Sequence, residues 1–371
     1  MTVTLACATE AAAGFRFGSS PLKIRPFGQG HINETFLVSG KGNGFVLQCI
    51  NTTVFLQPER VMDNIAAVTT HSKTRILAAG GDVRRETLAL ISTHQGGYLH
   101  KIPGSGDDRT NTETFWRAYH YINNARSYGT VQGEAHVMAV GKVVGNFLRR
   151  LEDMPVAQLH ETIPNFHNTP KRMDDFKNAA QYDTAGRANQ CRAEIDFVLA
   201  RAKHASRITS GLANGSIPQR ASHNDTKLDN VLVDVVSGAG LCLVDLDTVM
   251  PGSALYDFGD CVRSLATARE DEIDLSLVHF DLRRFEVFCA AYLSAAGDIL
   301  TPIEKHLLPY SAWLMTFECG LRFLADHLNG DVYFKIRRPN HNLQRARNQF
   351  HHITQIEASA GHLEAIVAGL L

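Results

Sequence analysis

Three polar residues stand in the middle of the chain with the spacing H-x-D-x-x-x-x-N: His223, Asp225 and Asn230. A carboxylate in such a loop can orient a hydroxyl nucleophile and accept its proton. An amide oxygen and a second carboxylate are hard ligands of the kind that Mg²⁺ prefers. A second carboxylate, Asp245, follows Asn230 after two apolar runs and a polar turn. These residue types and spacings predict phosphoryl-transfer chemistry.

The segment that must position these residues has the pattern of a β-hairpin. Residues 231–233 and 241–244 are short apolar runs, and a Gly-rich turn at 237–240 separates them. Two such runs around such a turn are typical of antiparallel strands. A hairpin brings the residue before its first strand close to the residue after its second. We therefore expect Asn230 and Asp245 to lie near each other, as a shared metal site requires.

Neighbouring residues of this segment carry further hypotheses. Lys227 lies two positions after the candidate base Asp225, so it could reach a γ-phosphate as charge develops there, and we treat it as a catalytic candidate. His223 is expected to be a packing and hydrogen-bonding anchor. Asp257 is expected to fix the loop by accepting backbone hydrogen bonds. Asp247 could join the metal shell or cap the following turn.

Three stretches of this segment carry a family resemblance: HNDTKLDN at 223–230, VDLDTVMPG at 244–252 and YDFGD at 256–260. They resemble the aminoglycoside phosphotransferase and choline kinase superfamily, and within it the N-acetylhexosamine 1-kinases. The likeness extends from about residue 27 to the final helix, so it covers most of the chain. It implies an ATP- and Mg²⁺-dependent enzyme of protein-kinase-like fold, with Asp225 as the base. Asn230 and Asp245 would then hold the metal.

The first part of the chain contains a glycine turn between two apolar runs. Residues 24–38 are expected to form a strand, a tight turn at Gly28 and Gly30, and a second strand. Glycines at such a turn let backbone N–H groups approach phosphate oxygens closely. The resemblance makes this turn the nucleotide-covering loop. His31 and Asn33 beside it are then candidates for contacts with the sugar or the phosphates.

The next strand departs from the general pattern of kinases. Residues 45–50 form an apolar run at the place where protein kinases carry a lysine that contacts the α- and β-phosphates. The nearest match here is Gln48, a cofactor-binding candidate that can hydrogen-bond phosphate but adds no positive charge. The missing lysine leaves open a pseudokinase, a protein that binds nucleotide in a regulatory role.

Hydrophobic spacing predicts a β-rich part followed by a helical part. Apolar residues alternate or cluster in short runs up to residue 122, and from residue 134 onward they recur at helical spacing. Beyond the glycine turn, strands are expected at 45–50, 86–92, 98–102 and 115–122, and helices at 58–73, 134–151 and 302–328. A loop is expected at 163–167 and a short turn at 170–176.

This division predicts an α+β, two-lobed fold of the protein-kinase type. A small β-rich lobe at 1–122 is expected to bind the nucleotide. A larger, mainly helical lobe at 123–371 is expected to carry catalysis and substrate binding. In this class of fold the adenine hydrogen-bonds to the backbone of the hinge, so Tyr121 and Asn123 are candidates for cofactor binding.

A C-terminal stretch bears on the acceptor. Residues 318–334 resemble the segment that lines the sugar pocket of N-acetylhexosamine 1-kinases, and Arg322 and Tyr333 match its sugar contacts. The resemblance implies phosphorylation of the anomeric hydroxyl of GlcNAc or GalNAc. An Arg fork and a Tyr hydroxyl suit sugar hydroxyls and an acetamido carbonyl. Without the family, a helix arginine paired with Asp326 and a buried tyrosine explain the same pattern.

Kinases for other small alcohols are alternatives within the same fold. A choline site needs several aromatic rings around the quaternary ammonium group. An aminoglycoside site needs a strongly acidic rim to attract a polycation. Neither feature is assembled in the sequence, although distant residues could build both.

Composition argues against several other classes of protein. The chain has 371 residues, enough for two domains with their own cores, and its net charge of −1 does not favour nucleic acid or an anionic membrane as a partner. No apolar run reaches the ~20 residues that span a bilayer, and the start has no signal-peptide pattern. The seven scattered cysteines indicate reduced thiols. We therefore expect a cytoplasmic enzyme, with its oligomeric state left open.

Overall fold

The computed structural model describes residues 3–18, 22–28, 32–40, 44–104 and 113–371. The chain divides into two units that the rest of the text calls unit 1 and unit 2. Unit 1 comprises Met1–Ala125, Ala157–Pro164 and Leu246–Met250, and unit 2 comprises Arg126–Val156, Asn165–Asp245 and Pro251–Leu371.

An antiparallel sheet forms the centre of unit 1. Its strands are β1 (Lys23–Pro26), β2 (Glu34–Ser39), β3 (Gly44–Cys49), β4 (His100–Ile102) and β5 (Thr114–His120), in the order β1-β2-β3-β5-β4. Two helices, α1 (Leu5–Ala12) and α2 (Pro58–Ala78), belong to the same unit. Alternate side chains such as Phe36 and Leu47 share a buried core with α1, because the strand period of two points them to one face.

Residues 86–92, expected to be a strand, make a single isolated bridge. Leu90 bridges Tyr119 of β5, and the N–H of Ile91 donates to the Ala118 carbonyl at 2.8 Å. One edge of β5 pairs with β3, and the start of its other edge pairs with β4. Only the end of β5, after Trp116, is therefore open to these residues, and they bridge it at Leu90 alone. The other expected strands are confirmed, with 98–102 shortened to β4.

Helices make up most of unit 2. They are α3 (Glu134–Arg150), α4 (Thr169–Tyr182), α5 (Arg192–Arg201), α6 (Arg207–Ala213), α7 (Ala254–Ser264), α8 (Leu282–Ala296), α9 (Pro302–Leu328), α10 (His341–Ala358) and α11 (Ala360–Leu370). Helix α3 packs on α8, and α9 packs on both α7 and α10. Gly141 lets α3 approach α8 closely, since a Cβ there would lie 2.7 Å from the Phe288 carbonyl oxygen. Among the residues described, no helix is both long and apolar enough to cross a membrane.

The sequence located one helix start correctly and missed another. The Thr301 hydroxyl accepts the N–H of Glu304, and the Glu304 carboxylate accepts the N–H of Thr301, a capping box that begins α9 as expected. Residues 170–176, expected to be a short turn, lie inside α4. The signal was present, because Met173 and Phe176 recur at helical spacing and their burial against α9 stabilises the helix.

Further short strands are β6 (Ala125–Arg126), β7 (Arg220–Ser222), β8 (Val231–Asp234), β9 (Gly240–Leu243) and β10 (Met250–Gly252), and short 3-10 helices lie between the longer elements. Strands β8 and β9 pair in antiparallel register, with Val231 opposite Leu243, which confirms the predicted hairpin. The α+β fold class is likewise confirmed, because a small antiparallel sheet organises unit 1 and helices dominate unit 2.

His352 of α10 makes stability depend on pH. The ring is buried, and neither nitrogen has a hydrogen-bond partner among the described residues. Burial, reinforced by the charge of Arg263, lowers the pKa of His352 from 6.5 to about 3. Because the unfolded chain then binds this proton first, the free energy of unfolding should fall by about 1.4 kcal/mol for each pH unit between the unfolded pKa of 6.5 and the folded pKa of about 3.

We expect His352→Leu to remove this contribution, because leucine fills the site without a titratable group. Urea unfolding from about pH 6.5 down to about pH 4.5 should give a slope of stability against pH that is shallower by one proton in the variant. Other buried histidines contribute equally to the pH dependence of the wild type and of the variant, so the difference between the two slopes is the contribution of His352. Parallel slopes would contradict the prediction.

Candidate active site

The loop that carries Asp225 begins at His223, directly after β7 in unit 2. The Nε2–H of His223 donates to the Val244 carbonyl at 3.0 Å, and its Nδ1 accepts the N–H of Asp225 at 3.2 Å. Both bonds require a neutral ring with its proton on Nε2. Burial lowers the pKa of His223, which favours that neutral form. His223 is therefore the hydrogen-bonding anchor that the sequence predicted.

Asp257, in the first turn of α7, holds the backbone of the same loop. Its Oδ2 accepts the N–H of His223 at 2.9 Å, and its Oδ1 accepts the N–H of Asn224 at 2.7 Å. Burial raises the pKa of Asp257 to about 7, although the two N–H groups oppose that rise. Asn224 has a φ of +64°, so the chain turns sharply just before Asp225. The structural role predicted for Asp257 is confirmed.

Asp225 lies at the centre of a polar cluster. The Nζ of Lys227 donates to both of its carboxylate oxygens, at 2.8 and 2.6 Å, and the Nδ2 of Asn230 donates to Oδ2 at 2.8 Å. Burial by itself would raise the pKa of Asp225, but the charge of Lys227 outweighs it and the pKa lies below its ordinary value. The carboxylate is therefore ionised at neutral pH. Its side chain is 24% exposed, so a ligand can reach it.

The hairpin brings the two candidate metal ligands together. The N–H of Val244 donates to the Asn230 carbonyl at 2.9 Å, which places Asp245 one residue from that pair. Because the Asn230 amide nitrogen is committed to Asp225, its Oδ1 remains as an acceptor. The carboxylates of Asp225 and Asp245 both raise the pKa of Lys227, against a burial that would lower it.

The donor set at this point fits a hard divalent cation. Asn230 offers an amide oxygen and Asp245 a carboxylate, and Mg²⁺ usually takes one or two protein oxygens together with water and substrate phosphates. Nowhere in the described parts of the chain do three or more His, Cys, Asp or Glu side chains gather into a metal cluster. Asp245 has a φ of +63°, a left-handed conformation that aspartate tolerates.

Arg322 of α9 lies among three aromatic rings. Its guanidinium carbon is 5.2 Å from the ring centre of Phe166, 5.8 Å from that of Tyr333 and 5.4 Å from that of Phe334. Asp326 does not pair with it, because its oxygens accept the backbone N–H groups of residues 332–334. Tyr333 is 51% exposed. The alternative of a paired arginine and a buried tyrosine is therefore wrong.

A buried ion pair that the sequence did not reveal braces this region. The Nδ1 of His167 lies 2.6 Å from Oε1 of Glu318, and its Nε2 donates to the Asn224 carbonyl at 2.9 Å. The Thr169 hydroxyl donates to the other Glu318 oxygen at 2.6 Å. Burial alone would lower the pKa of His167, but Glu318 raises it above the ordinary value. The pair joins α9, one turn before Arg322, to the residue before Asp225.

In unit 1, Gln48 of β3 lies directly opposite Arg117 of β5. The Nε2 of Gln48 donates to the Thr35 hydroxyl at 3.0 Å, and its Oε1 accepts the Nε–H of Arg117 at 3.0 Å. Arg117 is fully buried and forms an ion pair with Asp247. Arg117 is not among the site residues predicted from the sequence, where its signal is a single cation inside the apolar run of β5.

Asp247, for which the sequence left open a place in the metal shell or a turn cap, makes two side-chain contacts within unit 1. Its Oδ1 faces Arg117, and its Oδ2 accepts the Nδ2–H of Asn33 at 2.6 Å. Both carboxylate oxygens are therefore engaged inside unit 1, in a side chain that is almost completely buried. The Oδ1 of Asn33 accepts the N–H of Asn51 at 3.0 Å, so both ends of that amide are also engaged.

The remaining cofactor-binding candidates that the structure describes lie in unit 1, between or after its strands. Gly28 has a φ of +77°, a conformation that favours glycine, two residues after β1 ends. Gly30 and His31 lie outside the described residues. After β5, the N–H of Tyr121 donates to the Gly44 carbonyl at 2.9 Å, and the Asn123 carbonyl accepts a hydrogen bond from Arg85 at 3.2 Å.

Known proteins share this architecture. The chain is similar to a microcompartment-associated aminopropanol kinase, with 14% identity, coverage of 97% of this chain and 99% of the other, and a TM-score of 0.66. It is also similar to an amicoumacin kinase in complex with AMP-PNP and Ca²⁺, with 14% identity, coverage of 96% of this chain and 94% of the other, and a TM-score of 0.60. For a choline kinase from Cryptosporidium parvum the identity is 13%, the coverage is 94% of this chain and 91% of the other, and the TM-score is 0.58. At such low identity the likeness shows a common fold, the protein-kinase-like fold expected from the sequence.

A sequence model of the phosphotransferase enzyme family, APH, matches residues 23–293. This range begins at β1 and ends within α8, so it contains the loop of Asp225, the hairpin and α7. Because the match covers well over half of the residues, this chain belongs to the phosphotransferase enzyme family.

Proposed function

We propose that this protein is an ATP- and Mg²⁺-dependent kinase that phosphorylates the anomeric hydroxyl of N-acetylhexosamines, GlcNAc or GalNAc, to give the sugar 1-phosphate. The observation that carries the phosphotransferase part is the ionised, accessible carboxylate of Asp225 between Lys227 and Asn230. Membership of the family supports a phosphotransferase, and the similar structures named as kinases of choline and aminopropanol support an alcohol as acceptor.

In this proposal Asp225 orients the acceptor hydroxyl and takes its proton. Because the pKa of Asp225 lies below its ordinary value, it is a weak base that cannot deprotonate the hydroxyl in advance. A weak base suffices in a loose transition state, where the bond to the leaving group is largely broken before the proton moves. Lys227 bonds Asp225, so its positive charge lies next to the place where the incoming phosphoryl group must arrive.

Asn230 and Asp245 would hold Mg²⁺ through an amide oxygen and a carboxylate oxygen. When bound, the ion would neutralise charge on the β- and γ-phosphates. Asn230 would serve both the metal and the base, because its amide nitrogen also donates a hydrogen bond to the carboxylate of Asp225. A single rotation of this amide would break that bond and turn the amide oxygen away, so the metal ligand and the base are positioned together.

We propose residues 1–122 as the nucleotide-binding lobe and residues 123–371 as the catalytic and substrate-binding lobe. Gly28, Gly30 and Gln48 remain candidates for phosphate contacts, Tyr121 and Asn123 for backbone contacts to adenine, and His31 and Asn33 for sugar or phosphate contacts. The amide of Gln48 already bonds Thr35 and Arg117. A direct bond from Gln48 to phosphate would therefore replace one of these.

The environment of Arg322 favours a neutral, polyhydroxylated acceptor. The three surrounding rings already hold one cation, the guanidinium itself, so they are not open as a cage for quaternary ammonium. Arg322 forms no ion pair with any described residue, and its charge interacts with that of Asp225. An aminoglycoside cation would be repelled at this position, whereas sugar hydroxyls and an acetamido carbonyl accept hydrogen bonds from Arg322.

The test is an ADP-release assay with ATP, Mg²⁺ and a panel of GlcNAc, GalNAc, choline, 1-amino-2-propanol and an aminoglycoside. We expect turnover with the two sugars, and phosphorus NMR should show a phosphate coupled to the anomeric proton. Arg322→Gln should raise the KM for the sugar by about tenfold or more and leave the KM for ATP unchanged, because it removes a charged donor.

Each other outcome points to a different function. A 6-phosphate product, or turnover only with choline, 1-amino-2-propanol or the aminoglycoside, would overturn the sugar assignment while keeping the kinase. Nucleotide binding without ADP release for any acceptor would favour the pseudokinase, which the absent lysine of β3 left open.

A further inference from the structure

Unit 1 contains a buried positive charge at the level of the sheet where the lysine of β3 is missing. Arg117 of β5 is the register partner of Gln48 and is fully buried. Its Nε donates to Gln48 and its Nη1 forms the ion pair with Asp247. The buried cation of this sheet therefore lies on β5, the strand next to β3, where it faces the carboxylate of Asp247.

The carboxylate of Asp247 neutralises the charge of Arg117. Asp247 is almost completely buried, and its second oxygen accepts a hydrogen bond from Asn33 at 2.6 Å. A buried arginine that already faces a carboxylate can bind phosphate only if that carboxylate moves away, which would leave a second buried charge without its partner. The arrangement favours a role for Arg117 through Asp247 over a role as a phosphate ligand.

Asp247 belongs to the short segment Leu246–Met250, which is part of unit 1 and is hydrogen-bonded to the rest of that unit at several points. The Thr162 hydroxyl donates to the Asp247 carbonyl at 3.0 Å, and the Nδ2 of Asn64 donates to the Val249 carbonyl at 2.8 Å. Asp245 is the residue immediately before this segment. Two Cα–Cα steps separate it from Asp247, so their Cα atoms lie within about 7.6 Å.

We propose that Arg117 is a positioning residue that acts through Asp247 to fix the backbone at Asp245 and hence the divalent cation. The inference rests on the proposed function, because it assumes that Asp245 is a metal ligand. Asp245 has a left-handed φ of +63°, a conformation that persists where the surrounding structure enforces it. The ion pair of Arg117 and Asp247 supplies such a constraint on the covalently adjoining residues.

The experiment measures Mn²⁺ binding in the presence of ADP by electron paramagnetic resonance, and ADP binding in EDTA by calorimetry. Neither readout needs an acceptor. Arg117→Gln and Asp247→Asn should each weaken Mn²⁺ binding by about tenfold or more, as loss of a positioning partner does at metal sites. The affinity for ADP without metal should stay within about twofold of the wild type, since no phosphate contact is lost.

Two further variants separate positioning from folding. Arg117→Met with Asp247→Leu removes both buried charges together, which preserves folds better than removing one. It should fold, as judged by its thermal melting, and still bind Mn²⁺ more weakly than the wild type.

Arg201→Gln is the matched control, because Arg201 also pairs with a carboxylate, Glu357, at 2.7 Å, on helices that carry no site residue. It should lower the melting temperature and leave Mn²⁺ binding unchanged.

Three results would overturn the inference. Wild-type Mn²⁺ affinity in the folded Met/Leu variant would make the ion pair merely structural. Weakened metal-free ADP binding in Arg117→Gln, with normal binding in Asp247→Asn, would make Arg117 a phosphate ligand. Absence of Mn²⁺ binding with ADP in the wild type would overturn the proposed function itself, and the inference with it.

Discussion

Asp225→Asn should lower the turnover number by about a thousandfold, because a positioned base contributes about 10²–10⁴ and asparagine cannot accept the proton. The KM for ATP should change little, since the side chain keeps its size. Turnover is measured as ADP release at saturating sugar and Mg²⁺, and circular dichroism checks the fold. The expected loss is large because Asp225 is the carboxylate that Lys227 and Asn230 both position.

Asp229→Asn is the matched control for this substitution. Asp229 lies in the same loop, four residues later, but it is exposed and its carboxylate is 3.8 Å from Arg269. Removing its charge should leave turnover near the wild-type value. If Asp225→Asn kept more than about a tenth of wild-type turnover, the loss would be too small for a base, and Asp225 would lose that role.

Asp245→Asn should nearly abolish turnover at ordinary Mg²⁺ concentrations. Replacing a carboxylate ligand by an amide removes negative charge from the cation site, and the metal is worth several kcal/mol in the transition state. Asparagine accepts the left-handed conformation of this position, with φ of +63°, so the backbone should be retained. Turnover against Mg²⁺ concentration and Mn²⁺ binding with ADP should both show the loss.

Asp183→Asn makes the same chemical change at another left-handed aspartate. Asp183 has a φ of +41° at the end of α4, where its Oδ1 accepts the N–H of Arg187 at 2.6 Å. An amide oxygen can accept the same bond, so stability and metal binding should stay close to those of the wild type. Near wild-type activity in Asp245→Asn itself would remove Asp245 from the metal site.

Sequence alone predicted the features that depend on a few neighbouring residues. The β8–β9 hairpin follows from two apolar runs around a Gly-rich turn, and the start of α9 follows from Thr301 as the N-cap with Pro302 after it. The anchoring of the loop by Asp257 was also anticipated. Local hydrogen bonds and side-chain periodicity decide such elements, so their signals survive in a single sequence.

Strand pairing was less predictable, and the reason is physical. The apolar composition of residues 86–92 is compatible with a strand, but a strand also needs a free partner edge. The second edge of β5 is shared: β4 pairs with its first part, and residues 86–92 bridge its end at Leu90 alone. Composition therefore indicates which segments are able to pair, and the order of strands in the sheet decides which of them do so.

Only the tertiary structure decided where the buried charges find their partners. Asn33 meets Asp247 across 214 positions of the chain, and His167 meets Glu318 across 151. Arg117 appeared in the sequence as one cation in an apolar run, and Asp247 as one more acid in an acidic motif. Burial is costly for any charge without a partner, so the fold must supply one. Which residue becomes that partner depends on the packing of distant segments, and no local pattern encodes it.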